Sequence, residues 1–278
     1  MSFTVRTNIA SMTALRFVGR SDRQLRKTMA RVSSGNRMAR ASDDAAGMAV
    51  SENLDAAIRS LTVARRNTLD GMNVIDTAEQ ATGEVANILK RLRELAVQAS
   101  SETLAADERQ YIQEEFTALE AEINRIANIT EFNGQALTDG SAVVMDVQVG
   151  IANTANDRIG IATQDLRATT LGVDVGTIDM STSSNAQNAL ANLDTALDLV
   201  NGYRSSYGAS QNRLESAMRN LDRYTMDMSG ARSRVQDADY AFETAQLAKY
   251  TLLRQTGEAV LGQTQELQRT VVSLIDLG

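Results

Sequence analysis

Proline is absent from all 278 residues, although ordinary usage of about 5% would supply roughly a dozen. A proline inside a helix removes a backbone donor and clashes with the preceding turn, so no position in this chain forces a helix to stop. The apolar residues use that freedom. Leu15, Val18, Leu25, Met29 and Val32 follow alternating steps of three and four, with Asp22 at the one polar position, which is the seam of a coiled-coil-like helix. After the break Ser33-Ser34-Gly35, Ser42 or Asp43 is expected to cap a second helix. Its seam runs Leu54, Ile58, Leu61, Thr68, Met72, Ile75 and then, after an extra step of three, Ala78, Ala81, Val85, Ile88, Leu92, Leu95 and Ala99. Ile112, Phe116, Leu119, Ile123 and Ile126 predict a further helix over residues 105–129.

Between residues 130 and 184 the helical period fails. Val143, Met145, Val147 and Val149 alternate with Val144, Asp146, Gln148 and Gly150, and Asn153-Thr154-Ala155-Asn156-Asp157 supplies turn residues, so a β-hairpin is expected near residues 141–162. The Ser/Thr-rich residues 177–184 read as a loop open to insertion. From Leu190 the three-four stepping resumes through Leu193, Leu197, Val200, Tyr207, Leu214, Leu221 and Val235. Leu253, Val260, Leu267 and Leu274 follow at sevenfold spacing. The fold class is therefore mainly α: an elongated rod of long antiparallel coiled-coil-like helices from both chain halves, with a small β-hairpin element between them. The central helices can bury one another, whereas the two terminal stripes have no third partner within the chain and suit another subunit.

Composition removes most chemistry. Without cysteine or histidine there is no disulfide, no thiolate, no Cys/His zinc site and no imidazole base. No cofactor or metal is expected, and the chain is read as no enzyme. Asp43-Asp44 and Asp237-Ala238-Asp239 could in principle supply an acid and a base, but acids at helix starts cap backbone N–H groups and favour the helix dipole. The net charge is −7, yet residues 1–40 hold nine Arg or Lys against the single acid Asp22. Such a start could mark a transit peptide or a nucleic-acid arm. No apolar run approaches the roughly 20 residues needed to span a bilayer, so neither membrane insertion nor a Sec signal is expected.

Ordered motifs resolve these alternatives. Thr7-Asn8-Ile9, Arg31-Val32-Ser33-Ser34-Gly35-Asn36-Arg37, Ala41-Ser42-Asp43-Asp44-Ala45-Ala46-Gly47-Met48-Ala49, Ala64-Arg65-Arg66-Asn67 and Asp70-Gly71 occupy the first half. Arg93-Glu94-Leu95-Ala96-Val97-Gln98, Phe132-Asn133-Gly134 and Gln148-Val149-Gly150 follow, then Gly208-Ala209-Ser210-Gln211-Asn212-Arg213-Leu214 and residues 233–241. Over nearly its whole length the chain resembles the bacterial flagellin family.

The resemblance implies a structural subunit of the flagellar filament. Such a subunit is exported unfolded through a type III channel and self-assembles outside the cell into the helical tube that drives swimming. The alternative is a hook-filament junction (hook-associated) protein, which would match well only at the extreme ends. Residues 1–41 and 236–278 would form the inner polymerisation domain, and residues 42–235 the outer spoke domain, with no large surface insertion. The polymerisation seam is expected at Leu15, Val18, Leu25, Met29 and Val32 facing Leu253, Val260, Leu267 and Leu274. Implied partners are further copies of the chain, the export chaperone and export apparatus, and the junction and cap proteins. No nucleic acid is among them, which leaves the basic start as part of the export signal. An Arg-x-Arg-Glu-Leu-Ala-x-Gln pattern, here Arg91 to Gln98, also resembles the segment by which some flagellins meet the animal Toll-like flagellin receptor. Arg91, Leu95, Gln98 and, on the neighbouring helix, Glu115 are the contacts this implies.

Overall fold

The structure is a computed structural model that describes residues 8–141 and 144–276, with the side-chain surroundings of residues 268 and 271–276 excepted. Six α-helices and four short strands occur among the described residues: α1 (Ile9–Ser34), α2 (Ala45–Ala99), α3 (Ala106–Ile129), β1 (Glu131–Phe132), β2 (Gln135–Ala136), β3 (Val144–Gln148), β4 (Arg158–Ala162), α4 (Ala168–Leu171), α5 (Ser183–Gln236) and α6 (Tyr240–Asp276). The fold is mainly α with a small antiparallel hairpin, as the apolar periods predict. The chain divides into two compact units, residues 1–56 with 227–278, and residues 57–226.

In the second unit the stepping of α2 is visible as burial. Leu61, Ile75, Ala78, Val85, Leu92, Leu95 and Ala99 are all inside, and Thr68 and Thr82 are buried because their hydroxyls donate to the carbonyls of Ala64 and Ala78, four residues back. One core joins Val85, Leu89, Leu92 and Leu95 of α2 to Ile112, Phe116 and Ile123 of α3 and Leu193, Ala196 and Val200 of α5. A second joins Val74 and Ile75 of α2 to Tyr207 and Leu214 of α5 and to Val149, Ile159 and Ile161 of the hairpin. Strands β3 and β4 pair antiparallel from Val144↔Ala162 to Gln148↔Arg158. Within that hairpin Met145 and Val147 turn inward while Val144 and Asp146 are exposed, and Val143 lies outside the described residues. The hairpin presses so closely on α2 that a Cβ at Gly71 would sit 2.9 Å from a methyl of Val147.

Three expectations are corrected. The cap of α2 is Asp44, whose carboxylate accepts from the Gly47 N–H at 2.9 Å, rather than Ser42 or Asp43; Asp43 is drawn instead to Lys27 at 3.2 Å. Residues 130–184 hold more order than their lack of period suggests: Asn133 and Gly134, both at positive φ, turn β1 into β2, and α4 follows the hairpin. The Ser/Thr-rich loop is not open. Ile178 and Met180 are fully buried, the Met180 N–H donates to Gln113 Oε1 at 2.7 Å, and α5 already begins at Ser183. Two apolar residues spaced by two carry no helical signal, yet they plug the end of the core.

A polar clasp holds the segment that leads to this plug. The Leu166 N–H donates to the Thr138 carbonyl at 2.9 Å, and the Asp165 carboxylate accepts from the Arg167 guanidinium at 2.7 Å and the Thr170 hydroxyl at 2.7 Å. Led by the Arg167 hydrogen bond, these contacts bring the Asp165 pKa down from 3.8 to about 2. A depressed folded pKa means that the stabilisation is complete above the unfolded pKa of about 4 and disappears as pH falls from there toward about 2. Asp165→Asn should therefore lower the urea midpoint at pH 6, and the gap from the parent should close as pH approaches 2.5. An equal gap at both pH values would show that Asp165 does not titrate with folding. A Gly-Ser insertion after Asp179 should also lower the midpoint, because it separates two buried anchors; an unchanged midpoint would return this segment to the status of a free loop.

Candidate functional site: the terminal helix pair

The unit made of residues 1–56 and 227–278 is built around α1 and α6. Asn8 opens α1 by accepting from the Ser11 N–H at 2.9 Å, and Gly35, at φ 71°, ends it by donating to the Arg31 carbonyl at 2.9 Å. Asp239 opens α6 by accepting from the Ala241 and Phe242 N–H groups at 2.9 and 3.2 Å. Between these helices the segments resembling family signatures meet. Asn36 bridges Asp237, the Arg37 N–H donates to the Gln236 carbonyl at 2.7 Å, and the Ala238 N–H donates to the Gly35 carbonyl at 2.8 Å. The start of α2 and the end of α5 belong to the same unit, tied by Ser51 to Gln236 at 3.0 Å and by an Asp55–Arg232 ion pair. These ties carry the unit's boundaries to Ala56 and Asp227, into the two helices, where the sequence placed them at 41 and 236.

The α1·α6 seam mixes small and polar residues with aliphatic ones. On α1 the residues turned inward are Ser11, Ala14, Val18, Ser21, Leu25, Thr28 and Val32; on α6 they are Glu243, Leu247, Tyr250, Arg254, Gly257, Leu261 and Thr264. Both sets keep the three-four rhythm. At Gly257 a Cβ would lie 2.8 Å from a Val18 methyl, so the absent side chain lets the helices approach there. Arg31 Nη1 lies 3.1 Å from Glu243 Oε1, and the glutamate is almost wholly buried. A charge at that depth is tolerated only with its partner in place, which makes the pair a marker of register. Asn8 donates to the Thr264 carbonyl at 3.3 Å.

Many of the large apolar residues point the other way. Ile9, Met12, Leu15, Phe17 and Met29 of α1 are exposed, and so are Tyr240, Phe242, Leu252, Leu253, Val260 and Leu267 of α6; Leu15 is 59% and Leu267 58% accessible. This corrects the expected seam as a pairing within the chain. Val18, Leu25 and Val32 do face α6, but Leu15 and Met29 do not, and Leu253, Val260 and Leu267 leave the seam to a neighbouring heptad position. The side chain of Leu274 lies outside the described residues. The reason is steric at Gly257, where any side chain would strike Val18, so the close approach of the two helices there admits no leucine. Sequence reading overlooked Ser11, Ser21, Thr28, Glu243, Gly257 and Thr264 because it followed hydrophobicity. The repeat of small residues at the same period was the available signal.

In the other unit the residues assigned to receptor contact separate. Arg91 reaches Glu115 on α3 at 2.7 Å and Glu94 at 3.1 Å, all three exposed, and Gln98 is exposed beside them. The Glu115 carboxylate, ahead of Glu94, holds the Arg91 pKa above its ordinary value. Leu95 is corrected: only 2% accessible, it belongs to the core and cannot touch a partner. The acid pairs raised as a source of catalysis are engaged structurally, Asp43 with Lys27, Asp44 and Asp239 as helix caps and Asp237 with the Ser233 hydroxyl at 2.6 Å. No helix among the described residues is long and apolar enough to cross a membrane.

Comparison with known proteins agrees along the whole chain. The bacterial flagellin N-terminal helical region matches residues 5–143 and the C-terminal helical region residues 190–275. A flagellin of Halalkalibacterium halodurans is 38% identical over 96% of this chain and 98% of its own length, and flagellin FlaB1 of Treponema pallidum is 34% identical over 96% and 98%. The crystal structure of Bacillus cereus flagellin superposes with a TM-score of 0.50 at 30% identity, covering 56% of this chain and 88% of that one. The hook-associated alternative is not better supported: a flagellar hook-associated protein of Vibrio parahaemolyticus superposes with a TM-score of 0.58 over 70% of this chain and 100% of its own, but at 14% identity, a likeness of fold alone. Full-length similarity to flagellins, with both helical regions in order, places this chain in the bacterial flagellin family, whose members are the structural subunits of the flagellar filament.

Proposed function

We propose that copies of this chain polymerise through the outward apolar faces of α1 and α6. The carrying observation is the apolar surface that the pair leaves outside: Leu15, Phe17, Leu252, Leu253, Val260 and Leu267 are exposed, while the seam takes small and polar residues together with Val18, Leu25, Val32, Leu247 and Leu261. Apolar surface of this kind marks an interaction site. The unit of residues 1–56 and 227–278, which contains the terminal segments 1–41 and 236–278, then acts as the inner assembly domain and residues 57–226 as the outer one. Assembly outside the cell requires export, and a chain without disulfides or prolyl bonds has no covalent obstacle to travelling unfolded. The export chaperone, the export apparatus, and the junction and cap proteins are the partners this role calls for.

Covering a leucine contributes about 1.5–3 kcal/mol, so several per copy can offset the entropy of docking. Leu267→Asp should abolish filament growth, because an unpaired carboxylate would have to be buried at the contact. Thermal melting of the unassembled subunit should barely move, since Leu267 is exposed there. Normal filaments with a strongly lowered melting temperature would place Leu267 within the subunit's own packing and overturn the assignment.

A second role rests on the exposed Arg91, Glu115 and Gln98, which form a charged patch suited to an animal Toll-like flagellin receptor. Charge-assisted hydrogen bonds contribute about 1.5–3 kcal/mol, so Arg91→Ala should weaken receptor binding by about tenfold or more. The measurement is receptor affinity for unassembled subunit, and undiminished affinity in the variant would remove Arg91 from the contact.

A further inference from the structure

The face of α1 turned away from α6 has two parts. At its start it is apolar, with Ile9 and Met12 flanked by Leu15 and Phe17, all exposed. Beyond them come Arg16, Arg20, Arg23 and Lys27, spaced four, three and four apart and so aligned along one side of the helix. Lys27 is engaged with Asp43, but no carboxylate lies within ion-pair distance of Arg16, Arg20 or Arg23 among the described residues. The Arg20 guanidinium lies 6.0 Å from the Phe17 ring centre, joining the two parts. Residues 9–34 hold six Arg or Lys and one acid, a net charge of +5 in a chain whose total is −7. Local charge of this density, opposite in sign to the rest, needs a partner.

We propose that this face of α1 binds the surface of an anionic phospholipid bilayer, lying in the headgroup layer without crossing it. A helix with cations on its polar side and Phe, Leu, Met and Ile beside them has the composition of an interfacial helix. Each arginine gains from the negative surface potential, by an amount that fades over a Debye length. The apolar residues select lipid over nucleic acid. A phosphate backbone would neutralise Arg16, Arg20 and Arg23 but leave Ile9, Met12, Leu15 and Phe17 in water, whereas a bilayer surface takes both sets. The opposite side of α1, where Ser11, Ala14, Val18, Ser21, Leu25 and Thr28 turn inward, is already covered by α6 and leaves this face to the lipid.

The test uses the unassembled full-length chain in co-sedimentation with vesicles of phosphatidylcholine containing phosphatidylglycerol, against vesicles of phosphatidylcholine alone. Binding to the anionic vesicles should be at least tenfold tighter and should be lost in high salt. Arg16→Gln, Arg20→Gln and Arg23→Gln together should abolish it, with circular dichroism confirming that helix content is retained. Phe17→Ser keeps every charge and should still weaken vesicle binding several-fold. If Phe17→Ser binds vesicles as the parent does, or if a DNA duplex competes as effectively as the vesicles, the face is a general polyanion site and the lipid assignment fails. Equal binding to both vesicle types, or none to either, also overturns it.

Discussion

Two uninterrupted helices, α2 of 55 residues and α5 of 54, are the constraint from which the unit of residues 57–226 is built. Each presents one continuous inward stripe, and neither could do so past an internal proline. The stripes need not be wholly apolar. Thr68 and Thr82 sit at full burial because each satisfies its hydroxyl on its own helix, so the helix carries a polar atom inward without asking its neighbours for a partner. Where the helices need a third layer, α3 and the β3–β4 hairpin supply it at different levels. The hairpin is admitted only because Gly71 leaves room for Val147.

The terminal pair follows the opposite logic. A two-helix coiled coil stable alone would bury its leucines between the helices. Here Ser, Thr, Gly and one Arg–Glu pair alternate in that seam with Ala14, Val18, Leu25, Val32, Leu247 and Leu261, so polar members fix register while other large apolar residues stay outside. Those outer residues remain free to be covered. The Arg31–Glu243 pair then acts as a guard on alignment: sliding one helix by a turn would leave the buried Glu243 carboxylate without its partner.

How much of this was legible depended on whether the signal was periodic. The inward residues of α2 and α5 could be read directly, from Leu61 to Ala99 and from Leu193 to Leu221, since burial and hydrophobicity coincide there. The β3–β4 hairpin was equally plain from its alternation. Ile178 and Met180 were not, because two residues on an irregular segment have no period to betray them, and their burial depends on Gln113 meeting the Met180 N–H. The α6 seam was misread for a physical reason. Hydrophobic stripes report what a helix must hide eventually, while the partner within the chain was chosen by Gly257 and Thr264, which report how closely a helix can be approached. In the receptor pattern the same distinction separates Arg91, at the surface, from Leu95, four residues on but turned into the core.

The outward surface of α1 carries both charge and apolar area, and these make different demands. Apolar residues such as Leu15 and Phe17 can be covered by another copy, but stacking copies side by side would also bring Arg16, Arg20 and Arg23 of each near their counterparts unless acids or water intervene. Like charges at contact distance oppose association, and in the low dielectric of a buried interface they oppose it strongly. Arginine, with a weakly hydrated planar head on a long stem, can lift its charge to the edge of a contact while its stem covers apolar surface. The arrangement therefore favours packings in which the apolar flanks Leu15 and Phe17 are buried and the arginine line remains at an aqueous boundary.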